Sequence, residues 1–305
     1  MPMHSSDSAT SFSRRAFVRT LGVAGAAFAA SPLLRAKLGR EPHEERSLVV
    51  IHLAGGHDGL STFVPCDDED YYRARPTLAL RGNEVLRLGE SVWLNRAAAD
   101  LAPLWEDGEL AVLPRVGFAP ASLSHYRATR VWLSGSAPEE VLNTRWTERC
   151  GRPVSDITGD FESALMRIAE RVADSETGEI YHVRLDGFDT HFEQRAAHDA
   201  AVATFARGVA QFQRRLARRG AAHRVLTLAF SEFGRAREEN EFGGTHHAET
   251  GQCYFIGAGV RGADRLDASP MIDHRRVIAT AVESWLGVSA PLVLGADVSS
   301  LPVLM

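Results

Sequence analysis

Lysine is almost absent from this sequence. Lys37 is the only one in 305 residues, and arginine supplies every other basic side chain apart from histidine. A lysine-based phosphate loop and a lysine Schiff base are therefore excluded from the chain beyond residue 37. Cysteine is scarce as well. Cys66, Cys150 and Cys253 are far apart and follow no metal-binding spacing. Their odd number argues against a disulfide framework, so buried thiols are the expectation, although one disulfide could form in an oxidising compartment. No haem, flavin or iron–sulfur motif occurs, which leaves a redox protein without support. Positive charge is also lacking: the formal net charge is −5. Without residues 1–36 it becomes −8, from 30 basic against 38 acidic groups. Such a chain is a poor partner for nucleic acid. No apolar run reaches the roughly 20 residues that span a bilayer.

What is present begins with Ser13-Arg14-Arg15-Ala16-Phe17, followed by the short apolar stretch Leu21 to Ala30 and then Ser31-Pro32. A basic segment, a weakly apolar segment and small residues, in that order, form an export signal. The paired arginines with Phe17 make it the twin-arginine form, which a translocase reads and which does not itself anchor the chain. The expected organisation is a signal over residues 1–36, cleaved after Ala29 or Ala36, a charged linker over 37–46, and a single domain over 47–305. The expected destination is the periplasm or the exterior, with the twin-arginine translocase as the export partner. No stable membrane span is expected unless the signal stays uncleaved.

Beyond the linker, apolar strands alternate with helical patterns. Leu48 to Leu53 and Val225 to Phe230 are unbroken apolar runs, as in strands covered on both faces. Glu109 to Pro114, Ile180 to Leu185 and Cys253 to Ala258 read as further strands. Val202, Phe205, Val209, Phe212 and Leu216 repeat at helical spacing, and His274 to Leu286 reads as one more helix. Alternation of this kind predicts an α/β fold with a mostly parallel sheet. Turns that follow parallel strands gather at the carboxyl edge of the sheet, where ligands bind.

Reactive side chains concentrate in such turns. His57-Asp58 follows the first strand, Asp189-Thr190-His191 follows the Ile180 strand, and Ser231-Glu232 with Arg235 follows the Val225 strand. His246-His247 lies shortly beyond, and Ser124-His125 stands near a helix start. Carboxylates mixed with imidazoles suit zinc or a similar divalent ion, so Asp58, Asp189, His191, Glu232 and His247 are candidate ligands. Ser124 is a candidate nucleophile, His125 an acid or base, and Arg235 a clamp on an anionic group. Taken singly, each has a plainer reading: a tight turn at His57-Asp58, a helix cap at Ser124, an ion pair between Glu232 and Arg235.

The order of these blocks resembles the domain of unknown function 1501 family. The matching segments are LVVIHLAGGHDGLSTFVP from Leu48, DYYRARPTLAL from Asp70, SLSHYRAT from Ser122, GFDTHFEQ from Gly187, FSEFGRAREENEFGGTHH from Phe230 and DHRRVIATAVESWLG from Asp273. His247 corresponds to the family's histidine, while His246 stands where the family has an acid. Ser231-Glu232-Phe233 occupies the place of an Asp-His pair found in many relatives. The resemblance implies the alkaline phosphatase-like superfamily, which includes sulfatases. It implies a three-layer α/β sandwich with a mostly parallel central sheet flanked by helices, and metal at the carboxyl edge. The implied activity is metal-dependent hydrolysis of a phosphate or sulfate ester on an anionic small molecule or polysaccharide. The alternative is a non-catalytic exported binding or assembly protein on a degenerate hydrolase fold.

Overall fold

The computed structural model describes residues 43–140, 142–262 and 270–305. The twin-arginine signal expected over 1–36 and most of the expected linker lie outside the described residues. His43–Met305 form one compact unit. Among the described residues no helix is long and apolar enough to cross a membrane.

Among the described residues twelve strands follow in chain order. The first five are β1 (Ser47–Leu53), β2 (Phe63–Val64), β3 (Val85–Arg87), β4 (Trp93–Asn95) and β5 (Leu110–Gly117). The next four are β6 (Val154–Asp156), β7 (Ile180–Leu185), β8 (Val225–Phe230) and β9 (Gly234–Glu239). The last are β10 (Thr245–Ala248), β11 (Thr250–Ile256) and β12 (Ile272–Asp273). The helices are α1 (Glu69–Ala74), α2 (Ala102–Glu106), α3 (His125–Ser134), α4 (Phe161–Asp174), α5 (Gln194–Arg218), α6 (His274–Ala279) and α7 (Ala290–Leu294).

Seven strands make the central sheet, in the order β12-β5-β11-β8-β1-β7-β6. All neighbouring pairs are parallel except those of β11, which runs against both β5 and β8. The sheet is therefore mostly parallel, as expected, and the strand that begins near Cys253 is its one reversed member. The two unbroken apolar runs occupy adjacent interior positions, and every residue of β1 and β8 is buried.

Period-two alternation in β1 explains why both faces need cover. Val49, Ile51 and Leu53 enter a core with Phe161, Leu165 and Ile168 of α4 and Val202, Phe205, Val209, Phe212 and Leu216 of α5. Leu48 and Val50 enter the opposite core with Val131 and Trp132 of α3, Val277 and Ile278 of α6, and Val293 of α7. Helices thus cover both faces, giving the three-layer sandwich.

Two local departures from the sequence reading stand out. The expected helix over His274 to Leu286 is α-helical only to Ala279 and then widens into a π-helical stretch, Thr280–Trp285. Thr280 Oγ1 donates to the Arg276 carbonyl at 2.7 Å, and the apolar positions through Trp285 stay buried in the wider turn. The region after Phe230 is not a plain loop either: β9 and β10 pair as a hairpin that sets His247 opposite Arg235.

Candidate metal centre at the carboxyl edge

The site is assembled from strand ends. After β1 the chain turns through Gly55 and Gly56, both at positive φ. A Cβ on Gly55 would lie 2.3 Å from the Asp189 nitrogen, so glycine lets the turns after β1 and β7 interlock. That contact delivers Asp189 to the centre of the edge. Glu232 arrives at the end of β8. The β9–β10 hairpin brings Arg235 and His247. His125 is the first residue of α3, whose N-cap is Ser124.

Asp189 is the hub, with its side chain half exposed. Its Oδ1 lies 2.7 Å from Arg235 Nη2, 3.0 Å from His191 Nε2 and 3.2 Å from His247 Nε2. Its Oδ2 lies 3.4 Å from His125 Nε2. The ligand atoms of His125, Asp189 and His247 all fall within 4.8 Å of one another. His191 Nε2 stands 2.9 Å from His247 Nε2 and 3.0 Å from Asp189 Oδ1, a hydrogen-bonding neighbour of that group. Burial would raise the Asp189 carboxyl, but the Arg235 and His247 hydrogen bonds outweigh it and hold it below the usual range.

Hydrogen bonds on the far ring nitrogens fix two of these imidazoles. His125 Nδ1 faces Glu232 Oε1 at 2.7 Å, and a carboxylate only accepts, so Nδ1 carries the proton. His247 Nδ1 faces the Leu123 carbonyl at 3.0 Å, which also only accepts. A neutral ring has one proton, so the Nε2 lone pair of His125 points inward toward Asp189, whereas His247 stands between two acceptors, the Leu123 carbonyl at Nδ1 and Asp189 Oδ1 at Nε2, and a cation at Nε2 would leave its proton on Nδ1. Carboxylate or carbonyl behind, imidazole between and an open lone pair in front is the arrangement that orients histidine ligands on a metal.

Of the five candidate ligands the structure gathers Asp189, His191 and His247, sets Glu232 behind His125, and leaves Asp58 out. Asp58 is a correction: it is buried and paired with Arg75, whose Nη1 and Nη2 lie 2.6 and 3.1 Å from its two oxygens. Ser61 Oγ and Gln194 Nε2 donate to the same carboxylate, at 2.8 and 2.5 Å. Asp58 is 1% exposed and lies outside the His125, Asp189 and His247 cluster. Glu232 is a second correction. It reaches the cleft wall, but His52, His125 and the Gly55 amide hold its oxygens and only 2% of its side chain is exposed, so it supports His125 rather than joining the ligand set. Arg235 is a third. Its guanidinium is fully buried and donates to the carbonyls of Gly55, Gly56, Phe188 and Thr245 as well as to Asp189. No N–H remains to clamp a substrate anion. Ser124 is exposed and caps α3, with its Oγ accepting from the Arg127 amide at 3.5 Å. His125, expected as an acid or base, lies with Asp189 and His247 in one cluster.

The centre opens into a cleft of about 730 Å³ lined by His125, Tyr126, Arg130, Arg184, Asp189 and His191, among others. Arg130 and Arg184 are the basic groups that sequence reading missed, since isolated arginines in an arginine-rich chain carry no signal. His52 was also missed. Its signal was a lone imidazole inside an otherwise apolar strand.

A three-layer sandwich around a mostly parallel sheet is the alkaline phosphatase-like fold. Residues 139–281 match the model of a family described as protein of unknown function DUF1501. That span holds Asp189, His191, Glu232, Arg235 and His247, while His52, Asp58 and His125 precede it. No curated protein matches the sequence. Among solved structures, the zinc complex of the C-terminal periplasmic domain of EptC from Escherichia coli is 11% identical, with TM-score 0.50, covering 87% of this chain and 94% of that one. The soluble domain of lipooligosaccharide phosphoethanolamine transferase A from Neisseria meningitidis is 12% identical, with TM-score 0.50, covering 84% and 92%. A sulfatase of glycosaminoglycan metabolism from Bacteroides thetaiotaomicron is 9% identical, with TM-score 0.51, covering 81% and 74%. At these identities the likeness concerns the fold.

Proposed function

We propose that this chain is an exported member of the DUF1501 family that binds a divalent cation, zinc or similar, through His125, Asp189 and His247, and hydrolyses phosphate or sulfate esters on anionic small molecules or saccharides. The observation that carries the reading is the convergence of His125 Nε2 and His247 Nε2 on Asp189, each ring held from behind by a carboxylate or a carbonyl. Mixed imidazole and carboxylate donors match the preference of zinc. A cation held there supplies Lewis-acid polarisation of an ester oxygen and a water of lowered pKa. The chain's own residues supply the remainder. Glu232 holds the Nδ1 proton of His125, Arg235 keeps Asp189 ionised, and Arg130 on the cleft wall, near an Arg184 paired with Asp186, favours an anionic substrate. The zinc in the EptC complex and the glycosaminoglycan setting of the sulfatase agree with this reading.

One observation favours the alternative, a metal-free exported binding or assembly protein. Arg235 already neutralises Asp189 at 2.7 Å, so the carboxylate needs no cation to stay charged. Metal content separates the two. The purified protein should hold about one zinc per chain, and replacing His125 and His247 together by alanine should remove it while the fold survives, as read by elemental analysis and circular dichroism. A wild-type protein that takes up no zinc, manganese or cobalt would sink the hydrolase.

The export half of the proposal rests on Arg14 and Arg15. Their replacement by lysine should hold the protein in the cytoplasm, as measured by fractionation of the producing cell. Undiminished periplasmic delivery of that double variant would contradict it.

A further inference from the structure

Behind the proposed cation site runs a chain of three side chains, His52, Glu232 and His125, with the buried Glu232 at its middle. Glu232 receives His125 Nδ1 on Oε1 at 2.7 Å and His52 Nε2 on Oε2 at 2.9 Å. The Gly55 amide donates to the same carboxylate, 3.0 and 3.2 Å from its two oxygens. A carboxylate taken out of water must have its lone pairs satisfied, and its orientation then follows its donors. His52 lies at the last register position of β1 opposite Phe230, and its ring stacks on Phe230 at 5.0 Å with an interplanar angle of 6°. That stacking fixes the plane of the imidazole, and the Glu232 contact selects Nε2 as its donor. His52 also lines a second cleft of about 400 Å³, which shares Thr129, Arg184 and Asp186 with the first.

We infer that His52 is a positioning residue for the centre: by donating Nε2–H to Glu232 it fixes the carboxylate that holds His125 with its Nε2 lone pair toward Asp189 and His247. This rests on the reading of His125, Asp189 and His247 as a cation site. The physical case is one of counting. Glu232 has two oxygens and is 2% exposed, so solvent cannot replace a lost donor. Without His52, Oε2 keeps only the Gly55 amide and the Ser231 hydroxyl, at 3.2 and 3.3 Å. The carboxylate is then drawn toward those donors and away from His125 Nδ1. The histidine is freed to rotate or to move its proton to Nε2, and a protonated Nε2 cannot bind a cation.

Two variants isolate this role. His52→Phe keeps the ring and its stacking on Phe230 but deletes the donor, and His52→Gln keeps a donor that reaches about as far. Zinc affinity would be measured by competition with a chromophoric chelator. The ring protonation of His125 would be read from nitrogen shifts of ¹⁵N-histidine-labelled apoprotein. His52→Phe should weaken zinc binding by about tenfold or more, the effect typical of outer-shell partners, and mix the His125 tautomers. His52→Gln should restore both. Unchanged zinc affinity with an unchanged His125 tautomer in His52→Phe overturns the inference, as does failure of His52→Gln to restore either. If wild-type protein binds no zinc, the cation reading fails by itself, and the tautomer measurement alone then decides for or against His52.

Discussion

Replacing Arg75 by methionine is expected to lower the unfolding free energy by about 3–5 kcal/mol, the usual consequence of stranding one partner of a buried ion pair. Arg75 is 0% exposed and Asp58 1%. The guanidinium meets both oxygens of Asp58, and it also donates to the carbonyls of Ala236 and Arg237, at 2.7 and 2.8 Å. One side chain therefore ties the turn after β1 to strand β9 and satisfies four acceptors. Its loss leaves a buried carboxylate with only Ser61 and Gln194 as donors. The double variant Arg75→Met with Asp58→Asn should regain a large part of the loss, because no unpaired charge is then buried. Urea unfolding of the four proteins in a double-mutant cycle measures both effects. A single-variant loss below about 1 kcal/mol would mean that solvent reaches Asp58. Asp58→Asn by itself should leave zinc uptake unchanged, since Asp58 faces away from His125 and His247.

The second large effect is acid sensitivity. Burial lowers His57 from the ordinary 6.5 to about 3 and His182 to about 4, and it lowers His198 and His274 as well. A histidine held neutral in the fold binds fewer protons than its unfolded counterpart between the two pKa values. Stability therefore rises with pH across that window; each contribution is complete above 6.5 and is lost as pH falls toward the folded value. The carboxylates act in the same direction at lower pH. Burial opposes the ionisation of Glu232, but the His52 and His125 hydrogen bonds prevail and hold it down to about 2. Its contribution is lost from the ordinary glutamate range of about 4 downward. At about pH 5, His57 and His182 together should cost about 4 kcal/mol relative to pH 7.5, at roughly 1.4 kcal/mol per pH unit below the unfolded pKa. Urea midpoints at the two pH values test this. Equal midpoints would show that these imidazoles are hydrated in the folded protein. His57→Gln should remove about half of the difference.

Much of the architecture is written locally. Leu48 to Leu53 and Val225 to Phe230 lack any solvent-facing alternation, and both prove to be interior strands covered on two faces. The stripe from Val202 to Leu216 repeats at helical spacing and enters one core as a unit. Helical widening at Thr280 was not legible, because a π turn keeps the same apolar positions buried and differs only in which carbonyl each amide finds.

The site was legible only as an inventory. Asp189, His191, Glu232 and His247 could be named because each follows or adjoins a strand end, and parallel strands collect such ends on one edge. Their division of labour could not be named. Asp58 and Asp189 look alike in the sequence, each beside a histidine after an apolar strand, yet one is closed off by Arg75 and the other opens on the cleft. The sequence by itself determined the strand and helix pattern and the chemical types gathered at the carboxyl edge. Tertiary structure decided which carboxylate meets an arginine, which meets imidazoles, and which ring nitrogens are left free. The physical reason is range. Periodicity records which way neighbouring side chains face, whereas His52 and Glu232 are 180 residues apart, and His125 and Glu232 are 107 apart. Such pairs meet only because the sheet order sets β8 beside β1 and closes α3 over the same edge.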